Sequence, residues 1–173
     1  MKNHYPVICI LLSVFLAGCA AVPDAVSDNS TMLVGEVYFT GKNLTGTPSL
    51  NSGLSKNATE VTIADGNGNE YLLKTDRAGI FYLPNIQEGP YYLVKLLKRS
   101  DRGGWVSVTL NPRFEFPVTG GRVNNAGRIE WHRDGKKSSF TYSETYEPVK
   151  SDFGKRYKKS NWNTMSWVNV PLK

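Results

Sequence analysis

From Leu33 to His132 the chain is interrupted roughly every 8–12 residues by Gly, Pro, Asn or Asp, with strand-like stretches between. That rhythm admits short strands and leaves no room for the sustained 3.6-residue apolar period of a helix. Leu33, Val37 and Phe39 fall on one face of the first stretch, and residues 59–63 alternate cleanly. Asp65-Gly66-Asn67-Gly68 then supplies residues that tolerate positive φ, a strong hairpin cue leading into a partner strand at 69–74. Asp76-Arg77-Ala78-Gly79 turns the chain again into Ile80-Phe81-Tyr82-Leu83. Further strands are predicted at 91–97, 105–110, 114–118 and 128–132, and no helix before residue 150. The expectation is an all-β sandwich or barrel.

The N-terminus carries a different signal. An apolar run from Val7 to Ala17 is shorter than the roughly 20 residues that a membrane-spanning helix needs. Its length suits the apolar region of a signal peptide, with Met1-Lys2-Asn3-His4 before it. The run ends in Leu16-Ala17-Gly18-Cys19, which resembles the lipobox of bacterial lipoproteins. The resemblance implies removal of residues 1–18, acylation of the Cys19 thiol with palmitate among the chains, and attachment to a membrane. Ala20 in place of aspartate implies sorting to the outer membrane under enteric-type rules, with the periplasmic face favoured.

Cleavage there leaves 155 of the 173 residues, enough for one domain with its own core. Cys9 departs with the leader and Cys19 carries lipid, so disulfides, thiolate nucleophiles and cysteine metal sites are excluded by count. His4 is also in the leader. A Ser-His-Asp site would have to use His132, with Asp134 its nearest sequence partner, and a two-histidine metal site is impossible within one chain. The expectation is a non-enzymatic protein without metal or cofactor. Asp65, Asn67, Asn69 and Asp76 superficially resemble a calcium loop, but Glu70 occupies the position that needs glycine, and a hairpin explains the run without an ion.

The order of residues in the strand-rich part resembles the carboxypeptidase regulatory-like module. Val61-x-Ile63, Asp65-Gly66-Asn67-Gly68, Thr75-Asp76-x-x-Gly79-x-Phe81-x-Leu83, Ile86 and Gly89-x-Tyr91-x-Leu93 carry the likeness. Phe116-x-Val118 and Gly127-Arg128-Ile129-Glu130-Trp131 extend it to about residues 33–132. With its Cna-B-type and transthyretin-like relatives, that family implies a seven-stranded Greek-key β-sandwich used for stability, folding or adhesion. The matched residues are apolar strand positions and turn glycines, so the likeness carries architecture without an activity. The loop at 40–57 is longer than the family's first connection, and residues 133–173 have no counterpart in it.

The organisation expected is therefore a signal peptide at 1–18, a flexible tether at 19–32, a sandwich at 33–132, and a basic, aromatic extension at 133–173. Ten basic and ten acidic residues fall between Cys19 and Gly127, against ten and five from Arg128 to Lys173. In the extension, Lys155, Arg156, Lys158 and Lys159 interleave with Tyr157, Trp162 and Trp167. Lysines and tryptophans in this mixture suit a membrane surface or a glycan, and an exported protein seldom meets nucleic acid. The bland alternative is that Tyr157, Trp162 and Trp167 dock on the sandwich while the lysines point to water. Ser138–Ser143 is a candidate edge strand, and Ser151-Asp152 a candidate cap for one short helix. Trp105 is expected at a loop edge and Trp131 in the core. Three roles are thus in view: a scaffold for an envelope protein partner, a glycan-binding or adhesive module, and an accessory lipoprotein of a secretion apparatus.

Overall fold

The computed structural model describes residues 22–42, 48–49, 59–99, 105–134 and 137–172. The expected leader at 1–18, Cys19 and most of the loop at 40–57 lie outside these residues. The described chain is mostly strand: β1 (Met32–Lys42), β2 (Pro48–Ser49), β3 (Thr59–Asp65), β4 (Glu70–Lys74), β5 (Ile80–Pro84), β6 (Gly89–Arg99), β7 (Trp105–Val118), β8 (Val123–Asp134), β9 (Lys137–Ser143) and β10 (Trp167–Asn169). One helix, α1 (Tyr146–Arg156), and a single 3₁₀ turn (Asn161–Thr164) lie between β9 and β10.

The strands form two sheets. In sheet A, β1 is parallel to β8 and antiparallel to β5 and β2, while β8 pairs with β10 along its first residues and with β9 along its last. Sheet B has the order β4-β3-β6-β7, antiparallel throughout. The facing sides bury Leu33, Val37, Val61, Ile63, Phe81, Tyr91, Leu93, Phe116, Ile129 and Trp131. These are the inward positions that alternation assigns. Trp131 is fully buried, meets Phe39 edge-on at 4.9 Å, and donates its indole N–H to Ser138 Oγ at 3.1 Å.

Register shifts occur in β1–β8, in β3–β6, where Val94 is the extra residue, and in β6–β7. Between Val34 and Glu36 of β1, the two residues Ala126-Gly127 of β8 stand opposite the single Gly35. Gly127 sits at φ +69, and its N–H donates to Asn125 Oδ1 at 3.0 Å. The strand predicted to begin at Arg128 therefore begins at Val123, with the glycine inside it as a bulge instead of before it as a turn. The stretches predicted at 105–110 and 114–118 are likewise one strand, β7, whose register against β6 shifts after Leu93. At the β4–β5 turn Gly79 adopts φ +92, and a Cβ there would collide with the Val37 carbonyl oxygen. That carbonyl's own residue donates its N–H back to Gly79 O at 2.9 Å, so the turn is clamped directly onto β1.

A third layer covers the other side of sheet A. Val149 and Phe153 of α1 and Trp162 of the 3₁₀ turn pack with Met32, Val34, Ile80 and Val123 into a second core. The extension at 133–173 is thus part of the fold: β9 and β10 complete sheet A, and α1 caps it. The edge strand anticipated at 138–143 is β9. The helix begins earlier than anticipated, with Thr145 preceding it and Ser151 and Asp152 in its middle. Pro148 is tolerated because the first turn's N–H groups have no intrahelical partner.

The expected tether is also different. Val22 is buried in the second core, and Ser30, Thr31 and Met32 are buried as well. Residues 22–31 are therefore a docked segment, and two residues, Ala20 and Ala21, separate Val22 from Cys19 in sequence.

Candidate functional site

The helical layer holds the aromatic and basic residues singled out in the sequence, and it sorts them into different roles. Trp162 is fully buried. Its Nε1–H donates to the Pro23 carbonyl oxygen at 2.8 Å, so it anchors the N-terminal segment and is withdrawn from membrane or glycan contact. This corrects the expectation for that residue. The reason is local: Ser160 Oγ accepts from the Trp162 N–H at 3.4 Å, starting a tight turn that aims the indole inward.

Trp167 is half-buried in β10, edge-on to Phe153 at 5.5 Å, with its Nε1–H donating to the Trp162 carbonyl at 3.3 Å. Tyr157 packs against Phe153 at 4.8 Å and Tyr82 at 5.6 Å. All three aromatics therefore dock on the sandwich. The cations divide as well. Arg156 Nε lies 3.3 Å from Asp76 Oδ2, and Lys155 Nζ 3.5 Å from Asp152 Oδ1. Lys158 and Lys159 are exposed.

An open depression of about 470 Å³ lies on this layer, lined by Glu147, Lys150, Ser151, Gly154, Lys158, Asn163 and Trp167. Lys150, which the sequence did not single out, places its ammonium 5.7 Å from the centre of the Trp167 ring, a cation–π distance. Asn163 is fixed by donating its side-chain N–H to the Tyr157 carbonyl at 2.7 Å. The site thus offers two ammonium groups and the exposed part of an indole beside one carboxylate.

Beneath α1 lies a second polar cluster. Asp76 Oδ1 accepts the N–H groups of Ala78 at 2.8 Å and Ile80 at 3.0 Å, which closes the β4–β5 turn. Its Oδ2 accepts the Tyr157 hydroxyl at 3.1 Å, tying the end of α1 to that turn. Burial pushes the Tyr157 phenol well above the ordinary tyrosine range, and the negative Asp76 adds to this. Nearby, Glu36 is buried on β1 and accepts from Arg128 Nε at 3.0 Å.

His132 has partners other than Asp134. Its Nδ1 is hydrogen-bonded to Thr40 Oγ1, and its Nε2 lies 3.5 Å from Glu130 Oε2. All three project from the uncovered part of sheet A, because Thr40 pairs with His132 across β1 and β8. Asp134 pairs instead with Lys137 of β9. At the Asp65 hairpin the carboxylate is spoken for: Oδ1 accepts from the Asn67 and Asn69 N–H groups at 2.9 Å, and Oδ2 from Asn69 Nδ2 at 2.8 Å and the Tyr71 hydroxyl at 3.1 Å. Among the described residues no group of three or more His, Cys, Asp or Glu side chains is placed to hold a metal ion, and no helix is long and apolar enough to cross a membrane.

On the far side of the molecule, the outer face of sheet B carries two large apolar side chains in water. Leu72 of β4 and Trp105 of β7 are each 65% exposed, on opposite edge strands. Their strand neighbours Tyr71, Leu73 and Val106 pack inward. A scan against protein-family models finds no match to the chain, and a search of curated proteins finds none either.

Proposed function

We propose that this chain is a non-enzymatic bacterial lipoprotein, tethered through an acylated Cys19 to the periplasmic face of the outer membrane, whose sandwich acts as a scaffold for an envelope protein partner. The observation that carries the reading is the junction between leader and body. Leu16-Ala17-Gly18-Cys19 closes the apolar run three residues before Val22, which is buried in the second core.

The same reading takes β1 and β3 to β8 as a carboxypeptidase regulatory-like module of the transthyretin-like kind. These are seven strands in sheets of three and four, with β2, β9, β10 and the helical layer as additions. For the partner surface we take the outer face of sheet B, because exposed Leu72 and Trp105 are apolar area that no described contact covers.

The test is metabolic labelling with palmitate, together with the mass of the mature N-terminal peptide, in the parent and in Cys19→Ser. The expected result is label and membrane fractionation in the parent and loss of both in the variant. Identical processing and fractionation of the two without label overturns the reading. Crosslinking from Trp105 is then expected to capture a protein.

A glycan-binding role is the second reading, and exposed Trp105 is the observation that favours it, since Trp131 and Trp162 are buried. Titration with peptidoglycan and polysaccharides separates the two. A tryptophan fluorescence change that disappears in Trp105→Ala supports the glycan, and a silent titration beside a crosslinked protein supports the scaffold.

A further inference from the structure

We propose that residues 22–26 form a short, fixed stem that seats the helical layer, at its 3₁₀ turn, against the bilayer surface and turns the outer face of sheet B away from it. The inference rests on the acylation of Cys19 proposed above and adds an orientation to it.

The stem is held at successive residues. Val22 is buried in the second core, and the Pro23 carbonyl accepts from the Trp162 indole. The Asp24 carbonyl accepts from Asn85 Nδ2 at 3.2 Å, and the Val26 N–H donates to Asn85 Oδ1 at 3.4 Å. Ala25 makes a reciprocal pair with Asn161, its N–H donating to Oδ1 at 2.9 Å and its carbonyl accepting from Nδ2 at 3.2 Å. Asn161 opens the 3₁₀ turn, so the chain joins the body at the corner that also carries Lys158 and Lys159.

Chain length then decides the geometry. A tether free from Cys19 to Met32 reaches about 44 Å when extended, at about 3.4 Å per residue. With Val22 fixed, only three residue steps remain, or about 10 Å. That is less than the thickness of one added layer plus its side chains, since sheets pack about 10 Å apart and a helix is about 10 Å across. The body cannot swing out on such a leash. The corner beside Trp162 stays within reach of the head groups, and the outer face of sheet B lies about 20 Å further into the periplasm.

Two observations bear on what the seated surface meets. Val26 on the stem is 83% exposed, an aliphatic side chain that no packing in the body uses. Exposed Asp24, Asp28 and Glu147, with the half-buried Asp152, nearly offset Lys150, Lys155, Arg156, Lys158 and Lys159. The orientation therefore comes from the stem's length and not from attraction to anionic lipid, and it is expected in neutral as well as anionic bilayers.

The test uses the full-length protein, expressed with its leader, extracted from membranes and reconstituted into phosphatidylcholine vesicles with or without phosphatidylglycerol. After processing, a cysteine introduced by Lys159→Cys or Leu72→Cys is the sole free thiol for a fluorescent label. Lipids spin-labelled near the head group are expected to quench the label at 159 several-fold more than the label at 72, in both lipid mixtures. A flexible Gly-Ser linker of about twenty residues inserted between Ala21 and Val22 is expected to abolish the difference. Equal quenching at the two sites, or stronger quenching at 72, in protein whose mass shows the acyl chains overturns the stem and leaves the lipoprotein reading standing. A mass without acyl chains overturns both.

Discussion

Glu36 and Arg128 face each other across the parallel pair β1–β8, with Arg128 Nε donating to Glu36 Oε2 at 3.0 Å, and they sit beside the layer that α1 covers. Burial raises the Glu36 pKa above its ordinary value of 4.5, Arg128 pulls it down by hydrogen bond and charge, and the negative Asp152 and Asp76 push it up again. A carboxyl raised in the folded state contributes stability that is complete below about pH 4.5 and is lost as pH rises through the folded value. Removing the one group that favours the carboxylate therefore costs most at neutral pH. Arg128→Ala is expected to destabilise the protein by about 3 kcal/mol at pH 7, at the lower end for a broken buried pair because Arg128 is partly exposed. At pH 4 the loss is expected to shrink to the packing contribution alone. Urea unfolding at the two pH values checks this, and an equal loss at both excludes it.

Trp162 acts on the N-terminal segment through one hydrogen bond and on the second core through its ring. Trp162→Phe keeps most of the apolar area and leaves the Pro23 carbonyl without its donor. A loss of about 1 kcal/mol is expected. The Ala25 amide, bonded to Asn161, is expected to lose hydrogen-exchange protection while amides of β3 and β6 keep theirs. Trp162→Ala also opens a cavity, for which about 3–5 kcal/mol is expected. If Trp162→Phe leaves Ala25 protection unchanged, the indole bond is not what holds the segment.

How much of this was legible in the sequence depends on what kind of contact fixes each element. The sheet-facing residues were readable because Val61, Ile63, Phe81, Leu83, Tyr91 and Leu93 alternate, and alternation is a local property of a strand. Asp65 and Asp76 were readable as turns for the same reason. The bulges were not: Gly127 looks like a turn glycine until the β1–β8 register shows that it interrupts a pair. The helical layer was legible only in part: one short helix and docking of Tyr157, Trp162 and Trp167 were among the expectations, but the start of α1 at Tyr146 and the burial of Val149 and Phe153 were not. In α1 only Val149 and Phe153 are buried, one pair at a four-residue spacing, too little to show a helical period. Docking of residues 22–31 was invisible because small polar residues make a linker composition. What holds them is supplied by Asn85, Asn161 and Trp162, which are remote in sequence. Among the candidate contacts, exposure of Lys158 and Lys159 could be anticipated from charge, whereas burial of Trp162 depends on the single 3₁₀ turn Asn161–Thr164.

Gly79 offers a test of the clamp between the β4–β5 turn and β1. Its φ of +92 is unfavourable for any residue with a Cβ, and the added atom would meet the Val37 carbonyl oxygen, which is backbone and cannot rotate aside. Gly79→Ala is expected to cost at least about 2 kcal/mol from the conformation alone, with more from the collision. The loss is expected to appear as reduced exchange protection of Val37 and Ile80, both bonded to this turn. Arg77→Ala, two residues back on the same turn, is expected to change stability little. Comparable losses for the two would place the sensitivity in the turn generally and not in the glycine.

Asp65 distinguishes a structural hairpin from an ion site. Its carboxylate is held below the ordinary value of 3.8, first by the Asn69 side-chain N–H and then by the backbone N–H groups of Asn69 and Asn67 and the Tyr71 hydroxyl, against a smaller opposing effect of desolvation. A carboxyl lowered in this way contributes stability that is present above about pH 3.8 and is lost as pH falls through the folded value. Asp65→Asn replaces one acceptor oxygen with a donor that faces N–H groups. The variant is expected to unfold at lower temperature than the parent at neutral pH. The gap is expected to narrow in acid, where the parent's own carboxyl takes up a proton. All the donors that satisfy Asp65 come from the hairpin itself, so calcium is expected to leave the unfolding temperature of parent and variant unchanged. A calcium-dependent rise in the parent that Asp65→Asn removes would show instead that the carboxylate exchanges these N–H groups for an ion.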